Sequence, residues 1–235
     1  MKDDLAHNLR QIHGRIAAAC AEAHRDASNV AIVAVTKGHP AGVVQAAVAA
    51  GLRHIGENRV QEADLKITEL GPIARWHMIG HLQTNKVKRA VELFDVIQSV
   101  DSLRLAQEIN RRAGELDRQI ECFIEVNSSG ELQKSGADPA DALDLVKAVK
   151  GMQNIKLTGM MTVGPLTNSE DKIRRAFVLC RGLFKMGQDL VGEQFNTLSM
   201  GMSDDYELAI AEGSTMIRIG TAIFGKRRPQ SPTAR

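Results

Sequence analysis

Apolar positions in this chain follow two rhythms that take turns. Leu5, Leu9, Ile12 and Ile16 recur at helical spacing and predict an amphipathic helix at the start. From Asn29 onward, short apolar or β-branched runs alternate with helical stretches. Strands are predicted over 30–35, 53–55 (a weak one), 76–79, 95–100, 120–126, 155–161, 195–198 and 216–219. Helices fall between them: through Val43, Val44 and Ala47 to Gly51, then over 60–70, 86–93, 103–116, 140–149 and 172–190. No Pro/Gly/Ser-rich linker divides the series. About eight β/α pairs at even spacing predict a closed parallel (β/α)8 TIM barrel, one α/β domain over 1–228. A doubly wound open sheet is the alternative, but it carries its Gly-rich turn after the first strand.

In this chain the glycine and hydroxyl turns come after the last two strands, where barrels place phosphate. The stretch LSMGMSDDYELAIAEGSTMIRIGTAIFG at 198–225 reads as strand, Gly/Ser loop, helix, strand and a second Gly/Thr turn. Asp204 is expected to cap the helix, and Leu208, Ile210 and Ala211 to form its buried side up to Gly213. Two loops thereby offer small residues, hydroxyls and free N–H groups, which suits a phosphate without a lysine cluster. Arg218 stands on the strand beside them. The pairing points to a phosphorylated small molecule or cofactor.

Composition narrows the partners. Net charge is +2 and aromatics are 3%, which argues against nucleic acid and anionic membrane surfaces. Cys20, Cys122 and Cys180 are widely spaced and form no CxxC, as expected of buried thiols in a reducing cytoplasm. The acidic start lacks the pattern of a signal peptide, and no apolar run approaches a membrane span. The end, KRRPQSPTAR, reads as a basic, frayed tail, disordered over 229–235.

The residue after each barrel strand faces one mouth, so those positions are the candidates for chemistry. Lys37 ends the apolar run AIVAVTK, where a surface lysine has little reason to be. A desolvated amine there can attack an aldehyde and form a Schiff base. A lysine snorkelling to solvent explains the spacing equally well; the phosphate cradle favours the Schiff base. Aldehyde plus phosphate describes pyridoxal 5′-phosphate, whose ring nitrogen Arg218 can meet.

The motifs AVTKGHP at 34–40, IGENRVQE at 55–62, WHMIGHLQTNK at 76–86 and QKSG at 133–136 resemble those of the pyridoxal phosphate homeostasis proteins. The likeness continues through GMMTVGP at 159–165, LSMGMSDDYELAIAEGST at 198–215 and RIGTAIFG at 218–225. The resemblance implies a barrel of the alanine-racemase N-terminal-domain type that is monomeric or weakly associated. It also implies that the chain holds the cofactor covalently as an internal aldimine, without established turnover. By the same resemblance Lys37 is the Schiff-base lysine, and Ser199, Gly201, Met202, Gly220 and Thr221 hold the phosphate. Arg218 then faces the pyridine nitrogen and Asn58 lies near the ring. Gly38-His39 departs from the usual Thr-Lys and puts a second nearby lysine in doubt.

Other candidates weigh less. His77 and His81 are four apart, but a strand and a Gly80 turn do not present them as a helical metal pair. His7, His13, His24 and His54 suggest no site, and Asp204-Asp205 reads as helix capping. Asn127 and the 134–136 loop border the expected mouth without an assigned role.

A racemase of this barrel type needs a second base, a tyrosine on a β-rich domain. The chain ends at Arg235, so that domain is expected to be absent, and its one tyrosine, Tyr206, sits in the helix behind the phosphate loop. The leading expectation is a binding protein, not an enzyme, that buffers pyridoxal phosphate and hands it to apo-enzymes. The alternatives are a pyridoxal phosphate enzyme such as an amino-acid racemase, and a cofactor-free Schiff-base aldolase using Lys37.

Overall fold

Eight short strands close on one another in chain order. They are β1 (Ala31–Val35), β2 (His54–Glu57), β3 (Arg75–Met78), β4 (Val96–Val100), β5 (Ile120–Glu125), β6 (Ile155–Met161), β7 (Thr197–Ser199) and β8 (Met216–Ile219). Each pairs in parallel with the next, and β8 pairs with β1 through Ala34 and Ile219. The computed structural model describes residues 2–131 and 133–225, so the tail expected over 229–235 lies outside the described residues. No described helix is long and apolar enough to cross a membrane.

Helices pack around the barrel: α1 (Lys2–Glu22), α2 (Ala41–Ala49), α3 (Val60–Leu70), α4 (Val87–Leu93), α5 (Leu103–Gly114), α6 (Ala142–Val149), α7 (Glu170–Val191), α8 (Tyr206–Ala211) and α9 (Thr221–Phe224). The main core lies between the strands and this ring. The stripe read from the sequence, Leu5, Leu9, Ile12 and Ile16, is buried there. Removing each such side chain from water contributes about 1.5–3 kcal/mol. Polar groups fix where α1 sits. Asn8 Nδ2 donates to Ile223 O of α9 at 2.9 Å, and Arg25 donates to Ile210 O and Ser214 O at 2.6 and 2.7 Å around the end of α8. The N-terminal helix therefore backs the two elements that follow the glycine turns.

Most boundaries fall within a residue or two of the sequence reading, and three of the differences have a visible cause. β7 begins at Thr197 rather than Phe195, because the Phe195 N–H closes a turn on Gly192 O and its ring stacks on Phe184, centroids 5.3 Å apart. α6 begins at Ala142 rather than 140, because Asp138 Oδ1 accepts the Ala140 N–H at 2.8 Å in a turn. Asp205, not Asp204, stands at the start of α8, and it accepts the N–H of Met202 at 2.6 Å instead of a helical N–H. Counted from Tyr206, the buried face falls on Ala209 and Ile210, which leaves Ala211 exposed and Leu208 half-buried.

The end of β1 is clamped from outside the barrel. Lys66 of α3 donates to Thr36 O at 2.7 Å, to Glu57 Oε1 at 2.6 Å and to Glu62 Oε1 at 2.8 Å. Thr36 Oγ1 donates to the same Glu57 oxygen at 2.5 Å. Lys66 and Glu57 are both buried, so neither charge has water to fall back on. Removing one partner strands the other. Lys66→Met is expected to lose about 3–5 kcal/mol in urea unfolding, and adding Glu57→Gln to recover much of it. A loss under about 1 kcal/mol, the level of an exposed pair, contradicts the clamp.

Candidate functional site

Lys37 lies two residues beyond the end of β1 and is half-buried. Its neighbours are held on every side. Thr36 sits under the Lys66–Glu57 pair, and the Gly38 N–H donates to the Glu62 carboxylate. The His39 ring lies against Phe224 of α9, centroids 5.2 Å apart. Gly38 has φ +73°, a conformation that glycine adopts without strain. The Gly38-His39 departure thus provides a turn and a packing contact on the strand that carries Lys37.

The two glycine turns meet beside it. Gly201 has φ +96°, and a Cβ there would lie 2.6 Å from Ala209 Cβ and 2.9 Å from Tyr206 Cα, so this turn admits glycine alone. Its carbonyl accepts the Arg218 N–H at 3.0 Å. Gly220 passes close to β1, where an added Cβ would lie 3.3 Å from Val35 O. Ser203 Oγ accepts the Ala222 N–H at 3.3 Å and stitches the two turns together. The first N–H groups of α9, beginning at Thr221, have no acceptor within the helix. Thr221 and Met202 are exposed, and the Met202 N–H is already taken by Asp205. Across the mouth, after β2, Asn58 Oδ1 is buried with no hydrogen-bond partner among the described residues.

Arg218 lies inside the barrel at 4% exposure. One Nη donates to Ser199 Oγ and the other to Thr162 O, each at 2.7 Å, using two of its five N–H groups. Burial pulls its pKa down, while Asp205 and Glu125 pull it up. Both carboxyls are themselves raised, chiefly by burial, Glu125 to about 7. Ser199, expected in the phosphate cradle, is placed elsewhere. Its Oγ is buried in the interior between Arg218 and Gln98 Oε1, the latter 2.7 Å away.

His77 and His81 diverge. His77 is buried, and His81 is exposed with Nδ1 3.3 Å from Asp101. Among the described residues no group of three or more His, Cys, Asp or Glu could hold a metal ion. His54, which the sequence left without a role, has Nδ1 2.9 Å from His77 Nε2. Burial is the main cause of the lowered pKa of both rings, and His77 falls well below the ordinary value. Asn127 donates to Glu131 O at 2.9 Å within the loop after β5, and Lys134 donates to Gly164 O at 2.6 Å, which ties that loop to the one after β6. The three cysteines are free and buried, with the Cys180 thiol pushed up to about 12 by burial.

Sequence reasoning missed Gln98 and Glu125. The signal was present in part. Gln98 and Glu125 are polar residues inside otherwise apolar strand runs, which predicts an inward face that is not wholly hydrophobic.

The fold and the mouth define an alanine-racemase-type barrel: the family model for "Alanine racemase, N-terminal domain" matches residues 2–228. The pyridoxal phosphate homeostasis protein of Pseudomonas aeruginosa is 40% identical over 98% of this chain and 99% of its own. PipY of Synechococcus elongatus PCC7942, solved with PLP bound, superposes with a TM-score of 0.82 at 39% identity, covering 94% of this chain and 100% of that one. Alanine racemase from Clostridium difficile 630 shares the fold at 16% identity and a TM-score of 0.78, covering 97% of this chain and 61% of the racemase. The chain belongs to the pyridoxal phosphate homeostasis protein family.

Glu125 gives the site a pH signature. Its native pKa of about 7 exceeds the ordinary 4.5, so from 4.5 to 7 the native state keeps a proton that the unfolded chain has released. The stability penalty of burying its charge therefore begins as pH rises past 4.5 and is complete above 7. Glu125→Gln is expected to unfold like the parent near pH 5 and to be more stable at pH 8, by on the order of a few kcal/mol. A difference that is the same at both pH values contradicts this burial.

Proposed function

We propose that this protein binds pyridoxal 5′-phosphate at the C-terminal mouth of its barrel and serves cofactor homeostasis. The observation that carries this reading is the meeting of Lys37, two stitched glycine turns and the buried Arg218 around one mouth. The residues fit the group. Pyridoxal phosphate supplies, when bound, an aldehyde that condenses reversibly with an amine, a dianionic phosphate and a ring nitrogen that accepts or carries a proton. Lys37 is the amine, presented on a strand end that the Lys66–Glu57 clamp holds still. Gly201, Met202, Ser203, Gly220 and Thr221 form the phosphate loops, whose close backbone approach the glycines permit. Arg218 holds a fixed positive charge toward the ring nitrogen and keeps that nitrogen unprotonated. Asn58, with its unpartnered buried oxygen, borders the ring. Ser199 acts one step behind, on Arg218.

The same geometry favours holding over turnover. Racemisation calls for a second acid–base group on the opposite face of the substrate. Tyr206 is packed at 1% exposure in the core between barrel and helices, and the Arg15 guanidinium lies 5.2 Å above its ring. In our reading the protein is a cytoplasmic monomer that releases its cofactor to apo-enzymes. The three unpaired buried thiols agree with a reducing compartment.

Titration with pyridoxal phosphate, followed by visible absorbance, tests the reading. The parent is expected to develop the yellow band of the covalently held cofactor, and Lys37→Ala to lack it. A colourless parent at saturating cofactor, or an undiminished band in Lys37→Ala, overturns the assignment.

A further inference from the structure

A line of hydrogen bonds crosses the barrel from one mouth to the other. Arg218 on β8 donates to Ser199 Oγ on β7 at 2.7 Å, and Ser199 Oγ lies 2.7 Å from Gln98 Oε1 on β4. Strands β4 and β7 are not neighbours, so this bond spans the interior. Gln98 Nε2 lies 2.9 Å from His77 Nδ1 on β3, and His77 Nε2 lies 2.9 Å from His54 Nδ1 on β2. Gln98 and Ser199 are fully buried and His77 is 1% exposed, so water cannot easily substitute for a lost link.

The arginine fixes the direction of the whole line. A guanidinium can only donate, so Ser199 Oγ accepts from it and must give its own proton away. Gln98 is the neighbour that receives it, which assigns the amide oxygen to Ser199 and the amide nitrogen to His77. The second Gln98 N–H points to Met216 Sδ at 3.3 Å, in agreement with that orientation. His77 Nδ1 is therefore an acceptor, its proton is on Nε2, and His54 Nδ1 accepts in turn. Bonds that all run one way polarise one another and strengthen together.

The far end opens onto a cavity of about 310 Å³, lined by His54, His77, Arg75, Glu121 and Lys156 among others. These residues stand on β2, β3, β5 and β6, toward the strand starts, at the mouth opposite Lys37. We infer that Gln98 and His77 are positioning residues for Arg218. Through Ser199 they fix the angle at which the guanidinium meets the cofactor ring nitrogen, and they tie that contact to the protonation of His54 at the opposite mouth. A proton added at His54 Nδ1 sets two donors face to face and breaks the line at its last link. The charged groups facing the histidine pair are Arg75, Glu121 and Lys156. The role toward the ring nitrogen rests on the proposed function; the direction of the line does not.

The first readout needs no cofactor. In the imidazole ¹⁵N spectrum of the full chain at pH 8, His77 is expected to carry its proton on Nε2 with Nδ1 bare. A proton on Nδ1 overturns the inference. The second readout is the absorbance band and affinity of added pyridoxal phosphate in Gln98→Leu and in Ser199→Ala. Each is expected to bind roughly tenfold more weakly, the equivalent of about one lost buried hydrogen bond. Each is also expected to shift the band at matched occupancy, which a purely structural loss would not do. A parent that binds no pyridoxal phosphate overturns the proposed function, and the positioning role with it. A parent that binds while both variants keep its affinity and band overturns the positioning role alone.

Discussion

Arg218 places a full positive charge where eight strands close, and burying an ion there is expensive unless its donors are met. Much of the barrel interior is organised to meet them. Ser199 and Thr162 take the direct bonds, and Asp205 and Glu125 supply opposing charge from nearby loops and strand ends. Both carboxyls are themselves buried and raised, so the arginine and its counter-charges restrain one another. The inward-facing layer of a barrel is ordinarily branched and apolar. Among the described residues a small cluster of Val33, Val96, Phe123, Met161 and Met216 fills that role. Gln98, His77 and Ser199 complete the interior as a polar line.

The mouth above this line is built from pieces that brace one another. Lys66 and Glu57 hold the end of β1, Glu62 holds Gly38, and His39 leans on Phe224 of the helix that begins at Thr221. Lys37 and the two glycine turns are thereby connected through side chains and backbone of the chain itself. Such preorganisation lowers the entropic cost of binding a small, reactive aldehyde. A chain that presents one amine and a fixed arginine, with its tyrosine packed away, is suited to holding the cofactor and giving it back.

Much of the architecture was legible in the sequence because each strand and helix carried its own period. α3 is found over the expected 60–70, and β6 over 155–161. The stripe of α1 was equally clear. The errors fell where a side chain or turn overrode propensity, as at Phe195 and Asp205. Lys37, Asn58, Gly201, Gly220 and Arg218 could be read as strand-end or turn residues. Ser199 looked the same by position, yet strand alternation sends its hydroxyl inward rather than to the loops. The pairing of His54 with His77, and of Gln98 with Ser199, depends on register across strands far apart in sequence. A linear pattern does not contain that information.

In the proposed function one lysine, just past the end of β1, anchors the cofactor. Reduction of the pyridoxal phosphate-loaded protein with borohydride, followed by peptide mass mapping, reads this directly. One phosphopyridoxyl group is expected, on the peptide that contains Lys37. A label on another lysine, such as Lys66 or Lys134, or no label at all, contradicts it.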